Sequence, residues 1–125
     1  MGCDIHAHLE IKRVPYNNLS MKKEWMHVGK LEINAYYDLF RALGTRFRGE
    51  GKILFSKKGL PSDITKETQS NYSYWMEDSH TESYITVKEL FEVEDERLIE
   101  LKKLMSTLRG LVLDEHIRLV YWFDN

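Results

Sequence analysis

Asp4, His6, His8 and Glu10 occupy every second position of the stretch CDIHAHLE, and Cys3, Ile5, Ala7 and Leu9 fill the positions between them. Strict alternation with period two is the pattern of a half-buried strand, so two acids and two imidazoles share one of its faces. Imidazole and carboxylate side chains on one face can converge on a metal. Zinc takes nitrogen and oxygen donors, and a catalytic site needs three protein ligands and an open position. His6 and His8 with Asp4 or Asp124 would supply such a set, and His80 is a further candidate ligand. Same-face neighbours on a strand lie roughly 6.5–7 Å apart at their Cα atoms, so a second element must complete the set.

The same face admits a different chemistry. Arg118, Trp122, Tyr74 and Trp75 offer what nucleotides need, namely guanidinium for phosphate and aromatic faces for bases. Arg46 and Arg48 lie in a loop with Gly44, Gly49 and Gly51 that could close over an anion. Asp4, His6 and His8 would then shape the pocket wall. A third account leaves the polar side of the strand facing water, although two histidines and two acids are unusual choices there. Nucleophilic catalysis finds no support: Cys3 falls on the apolar side of its strand, and no glycine-rich phosphate motif, CxxC pair or nucleophile elbow is present.

Positioning these residues is the task of the surrounding elements. After the first strand, Pro15 and Asn17-Asn18 mark a loop, and residues 24–33 read as a second strand returning beside it. Asn34 is placed to cap a helix over residues 35–43, with Gly44 as its left-handed C-cap. Residues 45–60 read as basic loop with a short strand at 53–55, and a turn with one or two helical turns follows over 59–68. Residues 71–80 look irregular, aromatic and acidic. Thr86 and Glu89 have capping-box spacing, and a helix over residues 94–109 ends at Gly110. In the last ten residues Ile117, Leu119, Tyr121 and Phe123 alternate with Arg118, Val120, Trp122 and Asp124, which predicts a final strand.

The class expected is α+β: one domain over residues 1–125, a small antiparallel sheet with neighbouring first and last strands, and helices packed on one face. Equal parity would then place Asp4, His6, His8 and Glu10 beside Arg118, Trp122 and Asp124. The balance of 18 Lys plus Arg against 20 Asp plus Glu argues against a polymeric nucleic-acid partner, which needs a strongly cationic surface. No apolar run approaches a membrane span, and a single cysteine fits a reducing cytoplasm. Charge is unevenly spread, with a basic stretch over residues 41–58 and an acidic one over 77–100.

MGCDIH at the start, GLPSDIT in the middle, YWMEDSH followed by SYIT, and RLVYWFDN at the end resemble a family of small phage and prophage proteins. The resemblance runs over nearly the whole chain, and GCDIH and the terminal FDN are its most specific parts. Small phage proteins of this kind include sponges that sequester the cyclic nucleotides of bacterial CBASS or Thoeris immunity. The resemblance therefore implies a cytoplasmic anti-defence protein of the infected host cell that binds a cyclic dinucleotide without cleaving it and needs no cofactor. A two-fold ligand would suit a homodimer presenting matching halves. Two alternatives stand beside it. One is a phosphodiesterase dependent on zinc or another divalent metal, with Asp4, His6, His8 and Asp124 as ligands and His80 or Glu77 as acid or base. The other is a protein–protein inhibitor that uses the acidic 77–100 segment.

Overall fold

In a computed structural model that describes residues 2–13 and 24–124, the alternating first segment is β1 (Asp4–Arg13) and the last is β4 (Ile117–Asp124). The loop expected around Pro15 and Asn17-Asn18 lies outside the described residues. β2 (Glu24–Leu31) and β3 (Ser79–Thr86) complete a four-stranded antiparallel sheet in the order β2-β1-β4-β3. The first and last strands are thus its central pair, with Asp4 opposite Asp124, His6 opposite Trp122 and Glu10 opposite Arg118. Four short helices follow the chain: α1 (Tyr37–Ala42), α2 (Lys66–Trp75), α3 (Val87–Phe91) and α4 (Ile99–Ser106).

The odd-numbered positions of both central strands build the core. Ile5, Ala7, Leu9, Ile117, Leu119, Tyr121 and Phe123 pack against Leu39, Phe40 and Leu43 from α1, Val87 and Leu90 from α3, and Leu101 and Met105 from α4. Each Val, Leu, Ile, Phe or Met side chain among these contributes about 1.5–3 kcal/mol on burial. Tyr121 keeps its one polar atom satisfied by donating to the Leu43 carbonyl at 2.8 Å. The α+β class, the small antiparallel sheet and the neighbouring termini are as expected, as is the Thr86–Glu89 capping box.

Local differences have physical causes. α1 starts after Tyr36, which makes no side-chain cap bond, so Asn34 is not its cap. Residues 53–55 form no strand. β3 escaped the hydrophobic pattern because its inward positions include Thr81 and Ser83, both buried. Ser83 spends its hydroxyl on the Lys58 amide at 3.0 Å. α2, which takes in residues read as irregular, has no apolar stripe. It adds a layer on the sheet face opposite α1, α3 and α4, and it meets that face through polar side chains.

The basic 45–58 segment is pinned rather than loose. Asp38 accepts the Glu50 amide, Arg41 donates to the Gly51 and Arg46 carbonyls, and Arg97 donates to the Glu50 and Lys52 carbonyls. Gly49 has φ +73°, and a Cβ there would lie 2.0 Å from the Tyr37 carbonyl oxygen. Gly59 is also left-handed, at φ +82°, but has open space around it. Gly59→Ala should therefore cost only the conformational penalty, about 1–2 kcal/mol, and Gly49→Ala should cost more because the backbone must also move apart. Urea denaturation of the two variants checks this; equal midpoints would show that the segment does not press on α1.

Candidate functional site

Glu10 and Arg118 lie opposite each other at the centre of the sheet, 0% and 3% exposed. Arg118 grips one Glu10 oxygen through Nε at 2.8 Å and a terminal nitrogen at 2.6 Å. The other oxygen accepts from the Thr65 and Thr68 hydroxyls, both at 2.7 Å, and from the Thr65 amide at 3.1 Å. Thr65 also caps α2, so the carboxylate ties that helix to the sheet. Arg118 is further held by Asp63 at 2.8 Å and lies 3.8 Å over the Trp25 ring. Burial by itself raises the Glu10 pKa, but the hydrogen bonds from Thr65, Thr68 and Arg118 outweigh it and hold the carboxyl below its ordinary range.

Beyond this pair the histidines continue the same buried face. His8 Nε2 lies 2.8 Å from the Asn71 side-chain oxygen and so donates to it; its Nδ1, 2.9 Å from His27 Nε2, then accepts from that ring. Burial keeps His8 below the usual imidazole pKa, and the Asn71 bond opposes this only in part. His6 bonds Asp124 through Nε2 and stacks on Trp75 with ring centres 4.3 Å apart. Trp122 is fully buried, with His6 and His8 on its face and Tyr72 against its edge. His6 Nδ1 and Trp122 Nε1 are buried without a hydrogen-bond partner among the described residues.

The expected site residues thus separate into three places. Asp4, His6, His8, Arg118 and Trp122 do share one face, as strand parity predicts; α2, which carries Trp75, covers His6, His8, Arg118 and Trp122 and leaves Asp4 exposed. Asp63 and Glu10 saturate Arg118, and the packing around Trp122 leaves no open ring face, so a ligand could reach either only by displacing α2. Arg48 sits at the end of the sheet, where its guanidinium bonds the Cys3 thiol and lies 5.4 Å over the Tyr37 ring. Burial, opposed by Arg48, raises the Cys3 pKa, which fits a packed thiol rather than a nucleophile. Tyr74 projects outward, 79% exposed. As for the metal set, Asp4 faces Asp124 across the strand pair and His6 bonds Asp124, but His8 turns towards Asn71 and His27. Among the described residues no group of three or more His, Cys, Asp or Glu is placed to hold an ion.

Arg46 belongs to the third place, a cavity of about 450 Å³ between the 44–57 segment and the bulge of β3. Arg46, Phe47, Ser56, Lys57 and Thr81 line it. Arg46 and Lys57 form no ion pair among the described residues, in contrast to Lys58, which is bound to Glu89 at 2.8 Å. Phe47 is 71% exposed and meets the His80 ring edge-on. Thr81 has φ +58°, a left-handed conformation that a β-branched residue rarely adopts and that stores of order 1–3 kcal/mol. Its hydroxyl lies 2.9 Å from His80 Nδ1. A second cavity of about 470 Å³, between β2 and the start of α2, has Glu24, Asp63 and Glu67 among its walls against Lys66, an acidic balance that disfavours an anion.

Sequence reasoning passed over Lys57, Phe47 and Thr81 as site residues. The available signal was Phe47 itself, an aromatic flanked by two arginines. No family model matches the chain, and neither the comparison with curated proteins nor that with solved structures found a match.

Two expectations follow from the buried face. Glu10→Ala leaves the Arg118 charge buried and half paired, so it should cost about 3–5 kcal/mol in urea denaturation; a loss below about 1 kcal/mol would mean that the pair is dispensable. The second concerns pH. Because the folded pKa of His8 lies below its ordinary 6.5, the unfolded chain binds more protons below that pH. Stability should fall as pH drops from 6.5 towards the folded value. The depressed Glu10 pKa adds a further loss below 4.5. Denaturation midpoints of the wild type and His8→Gln between pH 7.5 and 5.0 check the first part, and the variant should show the shallower slope.

Proposed function

We propose that this chain is a non-catalytic binding protein that sequesters a cyclic nucleotide, held in the cavity walled by Arg46, Phe47, Ser56, Lys57 and Thr81. The observation that carries this reading is the pair of cations, Arg46 and Lys57, facing one cavity beside an exposed aromatic ring and without carboxylate partners among the described residues. Guanidinium and ammonium groups bind phosphate oxygens through charge-assisted hydrogen bonds. Phe47 offers the flat apolar face on which a base stacks. The volume of about 450 Å³ falls in the range of ligand pockets, about 300–1,000 Å³.

Charge speaks against the cavity between β2 and α2, where three carboxylates stand against one lysine. The resemblance of GCDIH and FDN to phage proteins supports the narrower identity of the ligand: a cyclic dinucleotide signal of antiviral immunity, withheld from its receptor in the infected cell. Retention without turnover needs a rigid site more than a reactive one. The hydrogen bonds that pin residues 46–52 to Asp38, Arg41 and Arg97 favour such rigidity.

Calorimetric titration with a panel of cyclic di- and trinucleotides tests the proposal. The wild type should bind at least one member. Arg46→Ala and Lys57→Ala should each weaken binding roughly ten- to hundredfold, as the loss of a charged hydrogen bond implies. Phe47→Ala should weaken it by about 1–3 kcal/mol. Silence across the panel, or variants that bind as the wild type does, would overturn it.

A further inference from the structure

We infer that, with a phosphate held by Arg46 and Lys57 as proposed above, the Thr81 hydroxyl is a third donor to it, turned towards the ligand by the His80 ring. Thr81 lines the cavity, on the bulge where the register of β3 against β4 skips from His80 to Ser83. Its φ of +58° is a conformation that glycine adopts freely and asparagine readily, whereas a β-branched residue is strained there. Glycine would serve a bare bulge better. Strain of this kind gathers at ligand sites, where a particular side chain is needed at that point. The Thr81 methyl lies against Gly44, where an added Cβ would come within 3.3 Å of it, and the hydroxyl is on the His80 side.

The tautomer of His80 decides what that hydroxyl can do. His80 Nδ1 lies 2.9 Å from Thr81 Oγ1, and Nε2 is buried without a hydrogen-bond partner among the described residues. The ring packs against Phe47, edge-on with centres 5.7 Å apart, and against Phe123, stacked at 6.0 Å; neither offers Nε2 an acceptor. A proton on Nε2 would be a sealed donor with nothing to receive it, and such a group bears its full desolvation penalty. With the proton on Nδ1, Nε2 keeps only a lone pair, and unfilled acceptors are tolerated inside proteins more often than orphaned N–H groups. Nδ1–H then donates to Thr81 Oγ1. The threonine proton has no other acceptor among the described residues, and the hydroxyl rotates it towards the cavity. A hydroxyl that donates to an ionised phosphate oxygen forms a short, charge-assisted bond.

Two measurements test this: calorimetric titration with the cyclic di- and trinucleotide panel, and imidazole nitrogen NMR of the ligand-free wild type. Thr81→Val keeps the branched shape and the backbone strain and removes only the hydroxyl, so it should bind roughly ten- to hundredfold more weakly. Thr81→Ser, which keeps the hydroxyl, should retain most of the affinity. His80→Leu should also weaken binding, and His80→Asn should restore it, because an amide N–H can stand where Nδ1–H stands. In the spectra, His80 should carry its proton on Nδ1 and none on Nε2; this readout needs neither variant nor ligand and decides if Thr81→Val fails to fold. A proton on Nε2, or Thr81→Val binding as tightly as the wild type, would overturn the inference and leave the proposed function standing. A wild type that binds no member of the panel would overturn both.

Discussion

Glu10 is an ionised carboxylate that water does not reach, and the architecture is arranged around keeping it satisfied. Both oxygens are needed: one for the forked grip of Arg118 from the neighbouring central strand, the other for the Thr65 and Thr68 hydroxyls at the start of α2. The desolvation of such a pair is offset only when its remaining hydrogen-bonding positions are filled. The register of β1 on β4 and the seating of α2 are thereby coupled, since a shift of either leaves a charge without partners. Asp63 and Trp25 extend the coupling to the chain before α2 and to β2.

That coupling explains why His6, His8 and Glu10, on the polar face of β1, are buried. α2 has no apolar stripe to bury. It is held by Thr65, Thr68, Asn71 and the ring of Trp75, each matched to a polar or aromatic group on the sheet. Sheet and helix are complementary in hydrogen bonds where the opposite face is complementary in apolar shape. With Arg118 and Trp122 committed to this interface, recognition of an anion falls to the segment after α1. There Arg41 and Arg97 hold the backbone while Arg46 and Lys57 stand without carboxylate partners among the described residues. Positive charge is thus divided between cations that fix the loop and cations that face the cavity.

Much of this arrangement was legible in the sequence, because period-two alternation carries face information. Parity alone put Asp4, His6, His8 and Glu10 on the same face as Arg118, Trp122 and Asp124; the register adds that Asp4 lies opposite Asp124 and Glu10 opposite Arg118. α2 and β3 were not legible. Apart from Ile85 and Trp75, they make their inward contacts with Thr, Ser, Asn and Tyr side chains, which a hydrophobic pattern counts as surface. Parity also could not say what lies over a face. Two histidines and two acids in alternation suggested chemistry, but a third layer of structure needs the same residues. Phe47 and Lys57 were visible as a basic, aromatic stretch; that they share a cavity with Thr81 follows from the β3 bulge, for which the sequence carries no marker.

Retention of a nucleotide in intact form is the property that defines a sequestering protein. Purified protein incubated with a mixture of cyclic di- and trinucleotides, separated from free ligand and then heat-denatured, releases whatever it held for chromatography. Recovery of one cyclic species unchanged and depleted from the starting mixture, with none held by Arg46→Ala, is the result predicted. Recovery of linear products, or no depletion of any species, would contradict it.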